Sequence, residues 1–122
     1  MARKKNNIFR SIGHALRGVK QVFKTEQSFR IQIVIGALVI VLATVFPLEA
    51  WERVVIILLV GLVLILELIN SVFERLVGSF RPRLHPVVGE IKDIMAAAVL
   101  IASIFAAIIG LIIFIPHLAM YI

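Results

Sequence analysis

Four polar side chains interrupt the most apolar part of the sequence at a regular spacing. Glu67, Asn70, Ser71 and Glu74 stand at i, i+3, i+4 and i+7. On an α-helix these positions share one face over about two turns. An ionisable side chain at the centre of a membrane span costs about 2.5–3.5 kcal/mol on insertion scales. The stripe therefore indicates a function that offsets this cost.

Two carboxylates, an amide and a hydroxyl form a good oxygen-ligand set for a hard cation. Magnesium is usually held by one or two carboxylates together with water and substrate phosphates. One carboxylate can bind the metal while another takes a proton from a substrate hydroxyl. The alternative is a structural polar cluster that joins helices, with Arg75 as a partner. The position of the stripe near the predicted cytoplasmic end, where nucleotide is available, favours function.

Other charged residues are predicted to meet the same membrane edge. Glu26 precedes the first apolar run, Lys92 and Asp93 open the third, and His85 lies in the connecting loop. Acids that bind metal beside a lysine that meets phosphate are the parts that phosphoryl transfer needs. We expect Glu26, Glu74, Lys92 and Asp93 to lie near one another, although the chain has no glycine-rich P-loop.

Three long apolar runs must position these residues. They cover about 31–48, 54–77 and 91–115 in a chain of 122 residues that is 61% hydrophobic, against roughly 45–50% in a soluble domain. Each run is long enough to cross a bilayer. The expected fold is one all-α membrane domain, residues 1–122, with three transmembrane helices.

The ends of the runs carry typical boundary residues. Pro47 and Pro116 are expected to end the first and third spans, and residues 49–53 to form a short polar turn. Trp51 in that turn fits the interfacial aromatic belt. In the third run, small residues recur every four positions, which predicts close helix packing with a partner in the same chain or another. They are Ala98, Ala102, Ala106 and Gly110.

The segment 8–24 has apolar residues at spacings of three and four, with basic residues between them. This pattern predicts an amphipathic helix lying in the membrane interface, and the alternative is a solvated helix that packs on a neighbour.

Eight of the 13 Lys and Arg residues lie within the first 30 positions, and the net charge is +6. Beside an apolar span, a basic segment is more typical of an anionic leaflet than of nucleic acid. The distribution of basic residues places the N-terminus and the second loop in the cytoplasm. The absence of cysteine excludes disulfide and thiolate chemistry.

Taken together, these residues resemble the bacterial membrane-integral diacylglycerol kinase and undecaprenol kinase family over nearly the whole chain. The most specific segment, 67–74, is similar to the family's Glu-x-x-Asn-(Ser/Thr)-x-x-Glu signature. Residues 90–93, followed by the alanines 96–98, resemble its Lys-Asp helix start. Glu26 with Phe29 and Arg30 matches its acidic position before the first span.

The resemblance implies a homotrimer in the bacterial cytoplasmic membrane that phosphorylates a lipid hydroxyl with ATP and Mg²⁺. It implies Glu67 as the general base and Asn70 as the residue that positions the reacting groups. Glu26 and Glu74 would hold the magnesium that bridges the ATP phosphates. The remaining implied contacts, to phosphate, substrate or nucleotide, are those of Lys92, Asp93, His85, Arg17 and Lys20.

The sequence departs from the family pattern at several positions. Gly78 replaces an acid that members often carry, and the loop 81–84 lacks the usual acidic and aromatic residues. Gln32 and Ala96 stand where the diacylglycerol branch tends to carry Glu and Ser, so undecaprenol is the favoured lipid.

Two other classes of function remain as alternatives. A proton or cation relay subunit would use Glu67 and Glu74, but it needs ionisable groups across the bilayer, and the outer half of the predicted spans has none. A non-catalytic assembly subunit would tolerate replacement of Glu26, Glu67 and Glu74 without loss of chemistry.

Overall fold

The computed structural model describes residues 2–79 and 86–120, and they form four helices without a strand. The helices are α1 (Ala2–Thr25), α2 (Gln27–Val45), α3 (Ala50–Ser79) and α4 (Pro86–Ala119). The all-α prediction is confirmed, and α2, α3 and α4 are each long and apolar enough to cross a membrane. Helix α3 packs against both α2 and α4, and α1 contacts α2 and α3.

A break at one residue separates α1 from α2. Glu26 adopts an extended conformation (φ −121°, ψ 117°) at the N-cap position of α2. Arg30 then reaches back, and its Nη1 donates to the carbonyl oxygens of Phe23 (2.7 Å) and Lys24 (3.1 Å). Because the last carbonyls of a helix lack partners within it, this arginine fixes the end of α1 against the start of α2. We call this end of the bundle, which carries Glu26 and Glu67, the site end.

The opposite end, which we call the distal end, contains the tight connection from α2 to α3. Helix α2 ends at Val45, as the proline at 47 requires. The prediction of a polar turn over 49–53 is wrong, because α3 already begins at Ala50. The backbone N–H of Glu49 donates to Glu52 Oε1 at 2.9 Å, which is one half of a capping box and starts the helix early.

Helix α4 extends beyond the predicted third span at both ends. It begins at Pro86, because proline at the first helical position has the required φ and needs no hydrogen-bond partner. Pro116, expected to end the span, lies inside the helix, which continues to Ala119. A proline removes only its own bond to residue i−4, so the few residues after it keep their helical conformation.

The chain's own apolar core lies toward the distal end. Ala43, Leu48, Ile56 and Ile113 are buried against one another. The rings of Phe46 and Phe114 pack edge to face beside them, with centroids 5.5 Å apart and planes at 86°. Most other large apolar side chains on α2, α3 and α4 are exposed, as expected where lipid or another subunit covers the helices.

One glycine sets the approach of α2 to α3. A Cβ built on Gly36 would lie 2.7 Å from Val60 Cγ1, which no real Cβ contact allows. Val60 has little freedom to turn away, since a β-branched side chain in a helix prefers one rotamer. Gly36→Ala is therefore expected to lower the free energy of unfolding by about 1–3 kcal/mol, as other overpacking changes do.

The measurement is the unfolding midpoint in mixed micelles with increasing dodecyl sulfate. Gly61→Ala is the matched control, because nothing lies within 4 Å of a Cβ at that helical position. Equal midpoints for the two variants would contradict the proposed contact of Gly36 with Val60.

Candidate active site

The buried face of α3 changes from apolar to polar along its length. Ile56, Val63, Glu67 and Ser71 are the buried residues of this helix, and their spacing of seven and four places them on one face. Glu67 is 4% exposed and Ser71 is 1% exposed. Two of the four members of the predicted stripe, Glu67 and Ser71, are thus buried in the bundle.

Ser71 joins α3 to the break between α1 and α2. Its Oγ donates a short hydrogen bond to Glu26 Oε2 and also lies 3.1 Å from the Glu67 carbonyl oxygen. The other oxygen of Glu26 pairs with Arg75 Nη1 at 3.4 Å. Arg75 Nη2 also donates to Thr25 Oγ1 at 3.0 Å. Glu26, placed 45 residues before Ser71, is therefore held against α3 by a hydroxyl and a guanidinium.

Glu67 has only a neutral side-chain partner. Its Oε2 accepts a hydrogen bond of 3.5 Å from Ser28 Oγ, in the first turn of α2. Among the side chains described, those of residues 7–79 and 86–120, no lysine or arginine forms an ion pair with this carboxylate. A buried carboxylate without a cation is costly, and structural acids usually avoid that cost by pairing. A group that must accept a proton, by contrast, is weakened as a base by a fixed cation.

The arrangement combines two carboxylates with different surroundings. Glu67 lies at the apolar side of the cluster, one turn after the buried Val63 on the same face of α3. Glu26 lies at the polar side, at the N-terminus of α2, where a helix favours negative charge. A buried carboxylate on the apolar side and a second carboxylate on the polar side are the parts that proton abstraction and metal binding in phosphoryl transfer would need.

The structure does not join the other predicted residues to this cluster within one chain. Asn70 is half-buried and Glu74 is exposed on α3, and Lys92 and Asp93 are exposed in the second turn of α4. No hydrogen bond or ion pair of these four side chains is found in the described part of the chain. The expected approach of Lys92 and Asp93 to Glu26 stays a prediction.

The residues expected near the nucleotide lie on α1 or in the loop. Arg17 is exposed, with its Nη2 2.8 Å from His14 Nδ1, and Lys20 is exposed one turn further along. His85 and the loop 81–84 lie outside the described residues.

Three polar residues of the cluster, Thr25, Ser28 and Arg75, were not predicted as part of it. Ser28 follows Glu26 by two positions, at the start of an apolar run. A hydroxyl in that place was the one feature of the sequence that could have identified Ser28 as part of the cluster. Arg75 was considered only as a structural partner, and its bonds to Glu26 and Thr25 agree with that role. Since these contacts span 39 to 50 residues, no local pattern indicates them.

A second polar group lies at the distal end. Glu52 and His117 form a pair of 3.3 Å and are 12% and 18% exposed. Arg53 donates to the carbonyl oxygens of Ala43 (2.9 Å) and Phe46 (3.1 Å), so it supplies hydrogen-bond donors to the last carbonyls of α2.

Glu52 and Glu67 are separated by about 22 Å of helix. Because no ionisable side chain of α3 lies between Arg53, which follows Glu52 directly, and Glu67, this pair does not supply the continuous path that a proton relay needs.

Comparison with known proteins places the chain in one family. The sequence profile described as "Prokaryotic diacylglycerol kinase" matches residues 13–114. The chain is 34% identical over 113 residues to undecaprenol kinase of Bacillus subtilis, covering 93% of this chain and 92% of that protein. It is 36% identical over 101 residues to diacylglycerol kinase of Escherichia coli K12, covering 83% of each. The matched region includes α2, α3 and most of α4, with the whole Glu67 cluster. The chain belongs to the prokaryotic diacylglycerol kinase family of membrane lipid kinases.

Proposed function

We propose that this chain transfers the γ-phosphoryl group of ATP to the hydroxyl of a membrane lipid alcohol, at the cluster of Glu26, Glu67 and Ser71. The observation that carries the proposal is the buried carboxylate of Glu67, whose side-chain partner is the neutral Ser28 hydroxyl. Membership of a lipid kinase family gives the reaction class and ATP as the phosphate donor.

Glu67 acts as the general base. Its carboxylate accepts the proton of the lipid hydroxyl while that oxygen forms a bond to the γ-phosphorus, and the bond from the γ-phosphorus to the leaving ADP oxygen breaks. Asn70, one turn from Glu67 on α3, orients the attacking oxygen or the phosphoryl group. Ser28 holds the carboxylate in place from α2.

Glu26 and Glu74 are the proposed magnesium ligands. The donor set fits this metal, since Mg²⁺ takes one or two carboxylates and completes its shell with water and phosphate oxygens. When bound, magnesium neutralises charge on the transferring phosphoryl group.

Basic residues would hold the nucleotide on the polar side of the cluster. Lys92 would neutralise phosphate charge and Asp93 would orient it or the substrate, while Arg17, Lys20 and His85 would lie near the nucleotide. The exposure of Arg17, Lys20, Lys92 and Asp93 leaves these side chains available for such contacts.

A homotrimer would complete this site. Lys92 and Asp93 make no contact to Glu26 within the described part of one chain, and the spans expose many apolar side chains. A neighbouring subunit that packs against α2 and α3 would bring its own α4 start to the cluster. One domain, residues 1–122, would thus form part of a site shared between copies.

The proposed location is the bacterial cytoplasmic membrane, with the N-terminus and the site end in the cytoplasm. Helix α1 would lie in the interface, because the chain leaves Ile8, Phe9, Ile12, Leu16 and Phe23 exposed and basic residues stand between them. The site end carries most of the basic residues, as the positive-inside rule requires of a cytoplasmic face.

Undecaprenol is the proposed lipid in preference to diacylglycerol. Sequence identity does not distinguish between the two lipids, since an undecaprenol kinase matches at 34% and a diacylglycerol kinase at 36%. Support comes from Gln32 and Ala96, which replace the acid and the hydroxyl typical of the diacylglycerol branch.

The test is direct competition between the two lipids. The purified chain, reconstituted in vesicles with equal amounts of undecaprenol and diacylglycerol, receives ATP with labelled γ-phosphate and magnesium. We expect most of the label in undecaprenyl phosphate. Predominant labelling of phosphatidic acid would reverse the lipid preference but keep the kinase assignment. If neither lipid is labelled, both the lipid preference and the kinase assignment are contradicted.

A further inference from the structure

The guanidinium of Arg75 lies directly beside the carboxylates of the candidate active site. Arg75 follows Ser71 by four positions and Glu67 by eight, so the three residues lie along one side of α3. Its Nη1 is 3.4 Å from Glu26 Oε1. In the part of the chain whose side chains are described, it is the one lysine or arginine that pairs with a carboxylate. Arg75 is therefore the cation that this chain itself supplies to the cluster.

A nucleotide bound at this cluster needs such a cation. The phosphates of ATP carry several negative charges, and they would have to approach the carboxylates of Glu26 and Glu67. Like charges at short range repel one another, most strongly where water is partly excluded. Phosphate oxygens that share a magnesium ion with Glu26 would lie beside that carboxylate, within reach of the neighbouring guanidinium.

The order of the groups along α3 matches the order of the groups in the reaction. Glu67 is the proposed base, Ser71 with Glu26 lies one turn beyond it, and Arg75 lies one turn further, about 12 Å of helix from Glu67. In phosphoryl transfer the attacking oxygen, the phosphorus and the leaving oxygen are roughly in line. With the lipid hydroxyl at Glu67, the leaving ADP is thus directed toward Arg75.

The contacts of the guanidinium hold it in place and leave donors for a ligand. Nη2 donates to Thr25 Oγ1 at 3.0 Å, and Nη1 lies 3.3 Å from the Ser71 carbonyl oxygen. The 3.4 Å pair with Glu26 is longer than the roughly 2.7–2.9 Å of a strong charge-assisted bond. A guanidinium carries five N–H donors in a planar fork, more than these contacts use. Because the side chain is 43% exposed, the remaining donors are accessible.

We propose that Arg75 binds the diphosphate of the nucleotide that leaves as ADP, an inference that rests on the proposed kinase function. Its guanidinium donates to the phosphate oxygens, while Thr25 and the Ser71 carbonyl keep the side chain against the start of α2. A positive charge at this position stabilises the negative charge that develops on the leaving oxygen. Arg75 thus belongs to the nucleotide site, in addition to its structural contacts.

The test measures the binding of ADP instead of turnover. The full chain in lipid-containing micelles is titrated with ADP at saturating magnesium, and the heat of binding gives the Kd. Arg75→Met and Arg75→Gln both remove the guanidinium, one with an apolar and one with a polar side chain. Leu76→Met introduces the same methionine at the next position of α3, which is also exposed, and is the control.

We expect both Arg75 variants to raise the Kd for ADP about tenfold or more, because each loses hydrogen bonds between charged groups. Leu76→Met should stay within about twofold of the wild type. An unchanged Kd in the Arg75 variants would overturn the inference. A lower Kd would overturn it as well, because Arg75 would then be a competitor of magnesium for Glu26.

A second comparison distinguishes phosphate binding from an effect through Glu26. In Glu26→Gln the ion pair is already absent, so Arg75→Met added to it reports only what the guanidinium does elsewhere. We expect a further rise in the Kd for ADP of about tenfold. No further rise would show that Arg75 acts only by holding Glu26, which would overturn the inference alone. Wild-type protein that binds no ADP would contradict the proposed kinase function itself.

Discussion

Glu67→Gln is expected to lower the rate of phosphate transfer by ~10²–10⁴-fold, the range that general-base catalysis contributes. Glutamine keeps the shape of the side chain and can still accept the hydrogen bond from Ser28, but it cannot take a proton. The substitution also removes a buried carboxylate without a cation, so stability should be unchanged or increased. The assay is initial-rate transfer of labelled phosphate to lipid, alongside the unfolding midpoint.

Glu49→Gln is the control for this change. Glu49 is exposed at the distal end, where it accepts a hydrogen bond from the Trp51 indole at 2.6 Å, and glutamine can accept that bond as well. Its activity should match that of the wild type. Full activity in Glu67→Gln would rule out the general-base role, and a large loss of stability would instead indicate a structural role.

The second large effect is expected for Glu26→Gln. This carboxylate accepts from Ser71, pairs with Arg75 and is a proposed magnesium ligand. Loss of its charge should raise the magnesium concentration for half-maximal activity by about tenfold or more, because a metal site with one carboxylate fewer binds weakly. The measurement is a magnesium titration of initial rates at saturating ATP.

The variant Arg75→Met distinguishes the loss of a magnesium ligand from the loss of the ion pair between Arg75 and Glu26. It removes the ion pair at 3.4 Å but leaves the Glu26 carboxylate available. The Arg75 side chain is 43% exposed, so water weakens its pair with Glu26 and the pair contributes little to stability. If Arg75→Met raises the magnesium requirement as much as Glu26→Gln does, the ion pair and not the carboxylate ligand explains the effect.

The helices and the central stripe could be predicted from the sequence because their signals are local. Long apolar runs need only length and composition to be identified as spans. Glu67 is conspicuous because a carboxylate within such a run is costly. The ends were harder to predict, since Pro116 inside α4 and the early start of α3 depend on the hydrogen bonds of a few residues.

Contacts between distant positions could not be predicted from local patterns. Nothing near Ser28 indicates that it faces Glu67, and nothing near Arg53 indicates that it satisfies the end of α2. The small residues of α4 predicted close packing, but the structure shows that two of them, Ala106 and Gly110, line an apolar groove between α2, α3 and α4. That outcome depends on how three helices meet, which no single helix specifies.

The position of the lipid hydroxyl tests the central claim most directly. A prenol carrying a diazirine next to its hydroxyl is photolysed with the reconstituted wild-type protein, and the labelled residues are identified by peptide mass spectrometry. The account predicts labelling of Glu67 and of residues within one turn of it on α3, with little at the distal end. Labelling concentrated around Glu52 and His117, with none near Glu67, would contradict the proposed site.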